Sequence, residues 1–310
     1  MNKSKKIKII AGLINNAYGR ARRAWGNRDL KAFQHLAKLQ TDMGADYLLL
    51  NIDGNQRLSV KPEEMLEFLP ELVPAVQEVT PVPLCFDNPS ADFHRVALEK
   101  YDFSKSGKPI INSLAASREN LDLFIELVSS YDTLAIVMSS EKISEDGGSA
   151  QCLNPQDAYQ AAKYFVDILR TKAGRSNEQI IIDPGLAPVG ADTYGLVNIG
   201  LDVMPLIRKD PDLQGTHISV GLTNFSWGLP KHLRGSFENA YLALAVEAGL
   251  DFMLANPEKE PHALETEDPW TRGLRAALEK GRPGEGESQE EAGFCQAEAI
   301  MELCMNDIDE

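Results

Sequence analysis

The sequence predicts an α/β fold of the (β/α)8 class, a TIM barrel in a single domain with a C-terminal helical extension. Three observations lead there. Short apolar runs of strand length alternate with amphipathic stretches of helical spacing. The runs are apolar on consecutive positions, which suits strands buried on both faces, as in a parallel sheet. The alternation repeats eight times, and about 250 residues is the usual length of such a barrel. An open doubly wound sheet is the alternative. No G-x-G-x-x-G turn follows the first run, which weakens the dinucleotide-binding version of it.

The predicted strands are residues 7–14, 47–52, 82–87, 109–112, 133–138, 179–183, 217–222 and 251–255, each rich in Ile, Val or Leu. Between them the helical spacing covers 30–43, 62–79, 90–100, 117–131, 155–173, 194–209 and 233–248, with a final barrel helix near 270–280. Asn154 before Pro155 is a cap followed by proline at the first helical position, and Gly249 is a stop signal. The Gly-, Pro- and Glu-rich stretch 280–291 reads as a solvated linker, and 292–305 as one more helix. Residues 1–280 are therefore assigned to the barrel, and 281–310 to an acidic linker and C-terminal helix.

Of the 310 residues, 31 are Lys or Arg and 46 are Asp or Glu, a formal charge of −15. A phosphate-reading surface needs clustered cations, so nucleic acid and anionic membrane are excluded as main partners. No apolar run reaches the 18 or so residues of a transmembrane helix. The basic start, Lys3 to Lys8, runs into a short apolar stretch broken by Gly12, which fits a tag leading into a strand better than a signal peptide. Cys85, Cys152, Cys295 and Cys304 lack metal-type or redox-type spacing and read as reduced packing residues of a cytoplasmic protein. The five histidines form no H-E-x-x-H pair, and no metal site is expected.

In such a barrel, polar residues at the carboxyl ends of strands face the functional mouth. The predicted strand ends carry Asn51, Asp87, Asn112, Asp183 and the segment Gly221-Leu222-Thr223-Asn224-Phe225-Ser226. Singly, Asp and Asn there are turn formers or helix caps. Together, directly after apolar runs, they carry a desolvation cost unless bonded or used. A mouth rich in amides and carboxylates and poor in Arg and His suits a neutral heterocycle with many N–H and C=O groups.

These residues resemble a known family. The ordered set Gly44-Ala45-Asp46 with Asn51, Leu84–Asp87, Ile111-Asn112-Ser113, Ile182-Asp183-Pro184 and Gly221–Pro230 is similar to the pterin-binding methyltransferases, relatives of dihydropteroate synthase. The nearest likeness is to the methyltetrahydrofolate:corrinoid protein and methylcorrinoid:tetrahydrofolate methyltransferases of anaerobes. The resemblance implies a barrel, usually a homodimer, that binds tetrahydrofolate or 5-methyltetrahydrofolate as substrate. It implies pterin contacts at Asp87, Asn112, Asp183, Asn51 and Ser226, with the Gly221 backbone close to the ring. It places Asn224 near N5 and the transferred methyl group, as the catalytic residue. Lys231 and Arg234 are candidates for the folate tail or for a partner.

There are departures. Gly12-Leu13-Ile14-Asn15 lacks the family's frequent Glu-Arg pair, and Leu49 stands where many members have Asp. No cobalamin-type D-x-H-x-x-G pattern occurs, so a corrinoid is expected to arrive on a separate protein. The implied activity is methyl transfer from methylcorrinoid to tetrahydrofolate in a demethylation pathway. The alternatives are transfer from methyltetrahydrofolate to the corrinoid protein in the acetyl-CoA pathway, dihydropteroate synthase itself, and a non-catalytic pterin-binding subunit. No Ser-Arg-Lys segment ends the seventh strand, which disfavours the synthase.

Overall fold

A computed structural model describes residues 7–305, so the basic start at Lys3–Lys6 lies outside the described residues. In chain order the strands are β1 (Lys8–Asn15), β2 (Tyr47–Asn51), β3 (Leu84–Asp87), β4 (Ile110–Leu114), β5 (Leu134–Met138), β6 (Glu141–Ile143), β7 (Ser149–Gln151), β8 (Ile180–Asp183), β9 (His217–Ile218) and β10 (Phe252–Ala255). The helices are α1 (Gly19–Gly26), α2 (Leu30–Asp42), α3 (Pro62–Val79), α4 (Ala91–Lys100), α5 (Phe103–Ser106), α6 (Leu121–Ser130), α7 (Pro155–Ala173), α8 (Leu196–Lys209), α9 (Leu222–Phe225), α10 (Arg234–Ala248), α11 (Pro269–Lys280) and α12 (Gln289–Met305).

Eight strands pair in parallel in the order β10-β1-β2-β3-β4-β5-β8-β9. The two ends meet: the Leu254 amide donates to the Val220 carbonyl at 2.9 Å, and Gly221 bridges Leu254. The result is a (β/α)8 TIM barrel. Each predicted apolar run overlaps one of its strands. The run 217–222 departs most, because Leu222 already opens a helical turn.

Strand periodicity explains why the runs are apolar throughout. Successive side chains point to opposite faces. One set, Ile10, Tyr47, Leu49, Cys85, Ile110, Leu134, Ile136, Ile181 and Phe252, packs together as a separate core inside the barrel. The intervening residues, such as Leu48, Phe86, Ile111, Val137 and Ile182, face the helices and join the larger core. Both faces are dry, and each buried Leu or Ile side chain contributes about 1.5–3 kcal/mol relative to exposure.

The expected caps form. The Asn154 side chain accepts from the Asp157 amide at 2.8 Å at the start of α7. Gly249 ends α10 at φ 120°, where a Cβ would stand 2.7 Å from the Arg208 side chain. Arg208 uses that closeness to donate to the Gly249 carbonyl at 2.8 and 2.7 Å. Cys85 and Cys152 are buried packing residues as expected, whereas Cys295 is exposed, because α12 turns it away from the body.

Helix α1, the one-turn helix α5 and the β6–β7 hairpin escape the sequence patterns. Helix α1 (GRARRAWG) buries only Ala21, Ala24 and Trp25, too few apolar residues to set a period. The β6–β7 hairpin is polar because it projects from the barrel; its Asp146-Gly147 turn is its one local signal. Helix α12 buries Ala292, Gln296, Ala299, Ile300 and Leu303. At Gly293 a Cβ would lie 2.8 Å from the Thr193 Cα, so only glycine lets this helix sit against the segment that follows β8.

Candidate functional site at the barrel mouth

The site follows from the same two-residue period. Two residues beyond Leu49, Cys85, Ile110, Ile136 and Ile181 of the inner core stand Asn51, Asp87, Asn112, Met138 and Asp183. These five therefore face the lumen, one step nearer the carboxyl ends of their strands. All five are partly exposed, whereas the layer beneath is buried. Asp87 and Asn112 are register partners, as are Met138 and Asp183. The structure thus brings Asn51, Asp87, Asn112 and Asp183 onto one rung above an apolar floor.

The carboxylates are held in place. The Asn51 Nδ2 donates to Asp87 Oδ2 at 2.9 Å. Asp183 accepts from the Gly185 amide at 2.8 Å and from the Ser219 hydroxyl at 3.0 Å. Loss of water around Asp183 outweighs those two bonds and lifts its carboxyl to about 6. Desolvation also raises Asp87, against the Asn51 bond and the Arg118 guanidinium, with Asp53 adding to the rise. Among the described residues nothing engages the Asn112 carboxamide, which leaves its donor and acceptor to a ligand.

Arg118 is a member of this neighbourhood that the strand-end pattern missed. It lies in the turn after β4 and folds back, donating from Nε to the Ser113 carbonyl at 2.8 Å and from Nη2 to the Ser113 hydroxyl at 3.0 Å. On α4, outside the lumen, His94 is fully buried with Nε2 at 2.9 Å from the Asn88 carbonyl. Burial holds its imidazole down at about 4, so it stays neutral and braces the turn after Asp87.

The other side of the mouth is built by the segment after β9. Asn224 is exposed on the one-turn helix α9, its amide bonded to the Gly221 carbonyl at 3.0 Å. A Cβ at Gly221 would stand 3.1 Å from Asn224 Nδ2, so glycine is what lets that carboxamide lie over the backbone. Ser226 is buried and donates to Glu238, which also takes Lys259 Nζ at 3.0 and 3.4 Å. Asn224, Ser226 and Arg234 line a cleft of about 660 Å³ that reaches Gly12 and Asn15 of β1. Arg234 is anchored by its Nε to the Leu229 carbonyl at 3.0 Å. Lys231 is exposed and is not among the cleft residues. Arg22, Arg57 and Lys259 are, and no sequence signal linked them, since they come from three separate parts of the chain: helix α1, the turn after β2 and the segment after β10.

Among the described residues no group of three or more His, Cys, Asp or Glu side chains is placed to hold a metal ion. No helix of the described residues is long and apolar enough to cross a membrane. The chemistry offered is recognition: two desolvated carboxylates that accept N–H pairs, amides that donate and accept, and an exposed carboxamide on the lip.

A sequence profile described as "pterin binding enzyme" matches residues 14–256, from the end of β1 through β10. The chain belongs to the pterin binding enzyme family. Among its relatives is a methylcorrinoid:tetrahydrofolate methyltransferase of Eubacterium limosum, 24% identical over 251 residues, 80% of this chain and 84% of that protein. Solved pterin-binding relatives share the fold. A dihydropteroate synthase from Coxiella burnetii in complex with pteroic acid aligns with TM-score 0.56 and 20% identity, covering 83% of this chain and 90% of that one. The Yersinia pestis dihydropteroate synthase with a sulfonamide drug complex aligns with TM-score 0.56 and 13% identity, covering 98% and 96%. At these identities the structural likeness shows the architecture alone. The matched span includes Asn51, Asp87, Asn112, Asp183 and Asn224.

Proposed function

We propose that this protein is a methyltransferase that moves a methyl group from a corrinoid-carrying protein to N5 of tetrahydrofolate. The observation that carries the reading is an amide–carboxylate rung at the carboxyl ends of the strands together with an exposed Asn224 on the segment that follows β9 at the same end of the barrel. Support for the donor comes from the methylcorrinoid:tetrahydrofolate methyltransferase relative.

On this reading Asp87, Asn112 and Asp183 bind the pterin ring through its N–H and C=O groups, with Asn51 orienting Asp87. Gly221 lets the backbone approach the ring. Their work is positioning, which supplies much of the rate in a transfer between two bound partners. The partner's corrinoid brings the methyl group and enters as substrate. N5 attacks the methyl carbon; the N5–C bond forms, the electron pair of the broken bond stays with the donor, and the N5 proton leaves to solvent. Asn224 directs N5 by hydrogen bonding, so that its lone pair faces the incoming methyl group. Ser226 holds the Asn224 segment through Glu238. The four free thiols suit a reducing cytoplasm, and the protein is expected to act as a homodimer.

The test is a cobalt absorbance assay with the purified chain, tetrahydrofolate and a methylated corrinoid protein. Loss of the methylcorrinoid spectrum with formation of 5-methyltetrahydrofolate supports the proposal. Absence of transfer in both directions overturns it, and faster transfer from 5-methyltetrahydrofolate reverses its direction.

A further inference from the structure

We infer that the cleft beside Asn224 is a subsite for a chain of carboxylates, and that the enzyme selects a folate whose tail carries more than one γ-linked glutamate. The inference rests on the proposed pterin site, because the cleft shares Asn224 with it.

Four cations and one carboxylate line the cleft: Arg22, Arg57, Arg234 and Lys259 against Glu238. The carboxylate is already neutralised, since Glu238 is buried with Lys259 Nζ at 3.0 Å and the Ser226 hydroxyl upon it. Three guanidinium groups remain, and among the described residues none of them forms an ion pair. Two are fixed rather than free to swing away. Arg22 Nη1 donates to the Asn16 and Ala17 carbonyls at 3.0 and 2.6 Å, and Arg234 Nε to the Leu229 carbonyl at 3.0 Å. Those acceptors are neutral, so both charges remain available. The third, Arg57, is exposed on the turn after β2. The three come from separate elements, Arg22 from α1, Arg57 from the turn after β2 and Arg234 from the start of α10, in a chain whose formal charge is −15. A polyanion meets clustered, unpaired cations here despite the acidic net charge of the chain.

The charge count sets the ligand class. A tail with one glutamate carries two carboxylates, and each further γ-linked residue adds one. A guanidinium fork pairs with one carboxylate. Three unpaired forks exceed what a single glutamate can occupy; a tail of two matches them and a tail of three saturates them. Pyrophosphate is the other anion that such a cleft can take, and it is separable by experiment.

The test is a calorimetric titration of the full chain with three probes: tetrahydropterin without a tail, tetrahydropteroyl monoglutamate and tetrahydropteroyl triglutamate. The expected result is that the triglutamate binds at least tenfold more tightly than the monoglutamate, and that high salt reduces this ratio. In Arg57→Gln and, separately, Arg22→Gln, the ratio falls toward one. Equal affinity for the two tails overturns the inference while leaving the pterin site in place. So does inorganic pyrophosphate binding more tightly than the triglutamate. If no tetrahydropterin binds, the proposed function falls as well.

Discussion

Asp183 gives the site its most quantitative signature. Its carboxyl is lifted from 3.8 to about 6 because the barrel mouth removes water from it. That rise penalises the ionised form in the folded protein by about 3 kcal/mol as an upper limit. Between the two values the folded state binds more protons than the unfolded chain, so stability falls as pH rises. The Asp183 contribution is fully present below about pH 4 and is lost by the time the pH has passed 6. Asp183→Asn keeps an acceptor for the Gly185 amide and a partner for Ser219, and removes the charge. Against wild type, the variant is expected to gain about 1–3 kcal/mol on moving from pH 4 to pH 8. Urea unfolding of both proteins across that range measures the gain, and calorimetry with tetrahydrofolate measures the affinity lost at pH 8. A difference in stability that stays constant from pH 4 to pH 8 would refute the claim that burial, rather than bonding, governs this carboxylate.

Three further outcomes follow from the same geometry. Asn224→Ala should slow methyl transfer by about 10²–10³-fold, the usual effect of losing one directed hydrogen bond at a reacting atom, with folate affinity changing far less; equal losses in both contradict its role. Gly221→Ala puts a Cβ 3.1 Å from Asn224 Nδ2, so the carboxamide must shift. A fall in kcat of about tenfold with KM little changed is expected, and a wild-type kcat would show that the Asn224 position is not demanding. Arg118→Gln removes a cation that favours ionised Asp87. The pH midpoint for folate binding should then move up by about one unit, with affinity recovered at higher pH; an unmoved midpoint separates a purely structural role from an electrostatic one.

How much of this was legible in the sequence depends on how local each signal is. The barrel strands were legible because both of their faces are buried: Leu48 meets helices while Leu49 meets the lumen, and the run reads as unbroken apolar sequence. The lumen rung was legible for the same reason carried one step further. A polar residue two positions past a lumen-facing one, as Asp87 follows Cys85, keeps its direction but reaches the mouth. Helix α1 and the β6–β7 hairpin were not legible, since their exposed faces leave too few apolar positions to define a period. Nor were Arg118, Arg22 and Arg57, although Arg234 was a candidate from the family resemblance and does line the cleft. Arg118 acts on Asp87 from the neighbouring strand's loop, and Arg22, Arg57 and Arg234 come together only when the barrel closes between β9 and β10. Periodicity along one strand finds a residue's direction, whereas charge across several loops appears only in three dimensions. This is why the net charge of −15 describes the surface as a whole correctly and misses the mouth. The net charge disfavours anions in general, while three guanidinium groups without ion pairs among the described residues gather in the cleft beside Asn224, where the inferred tail of the proposed substrate would be received.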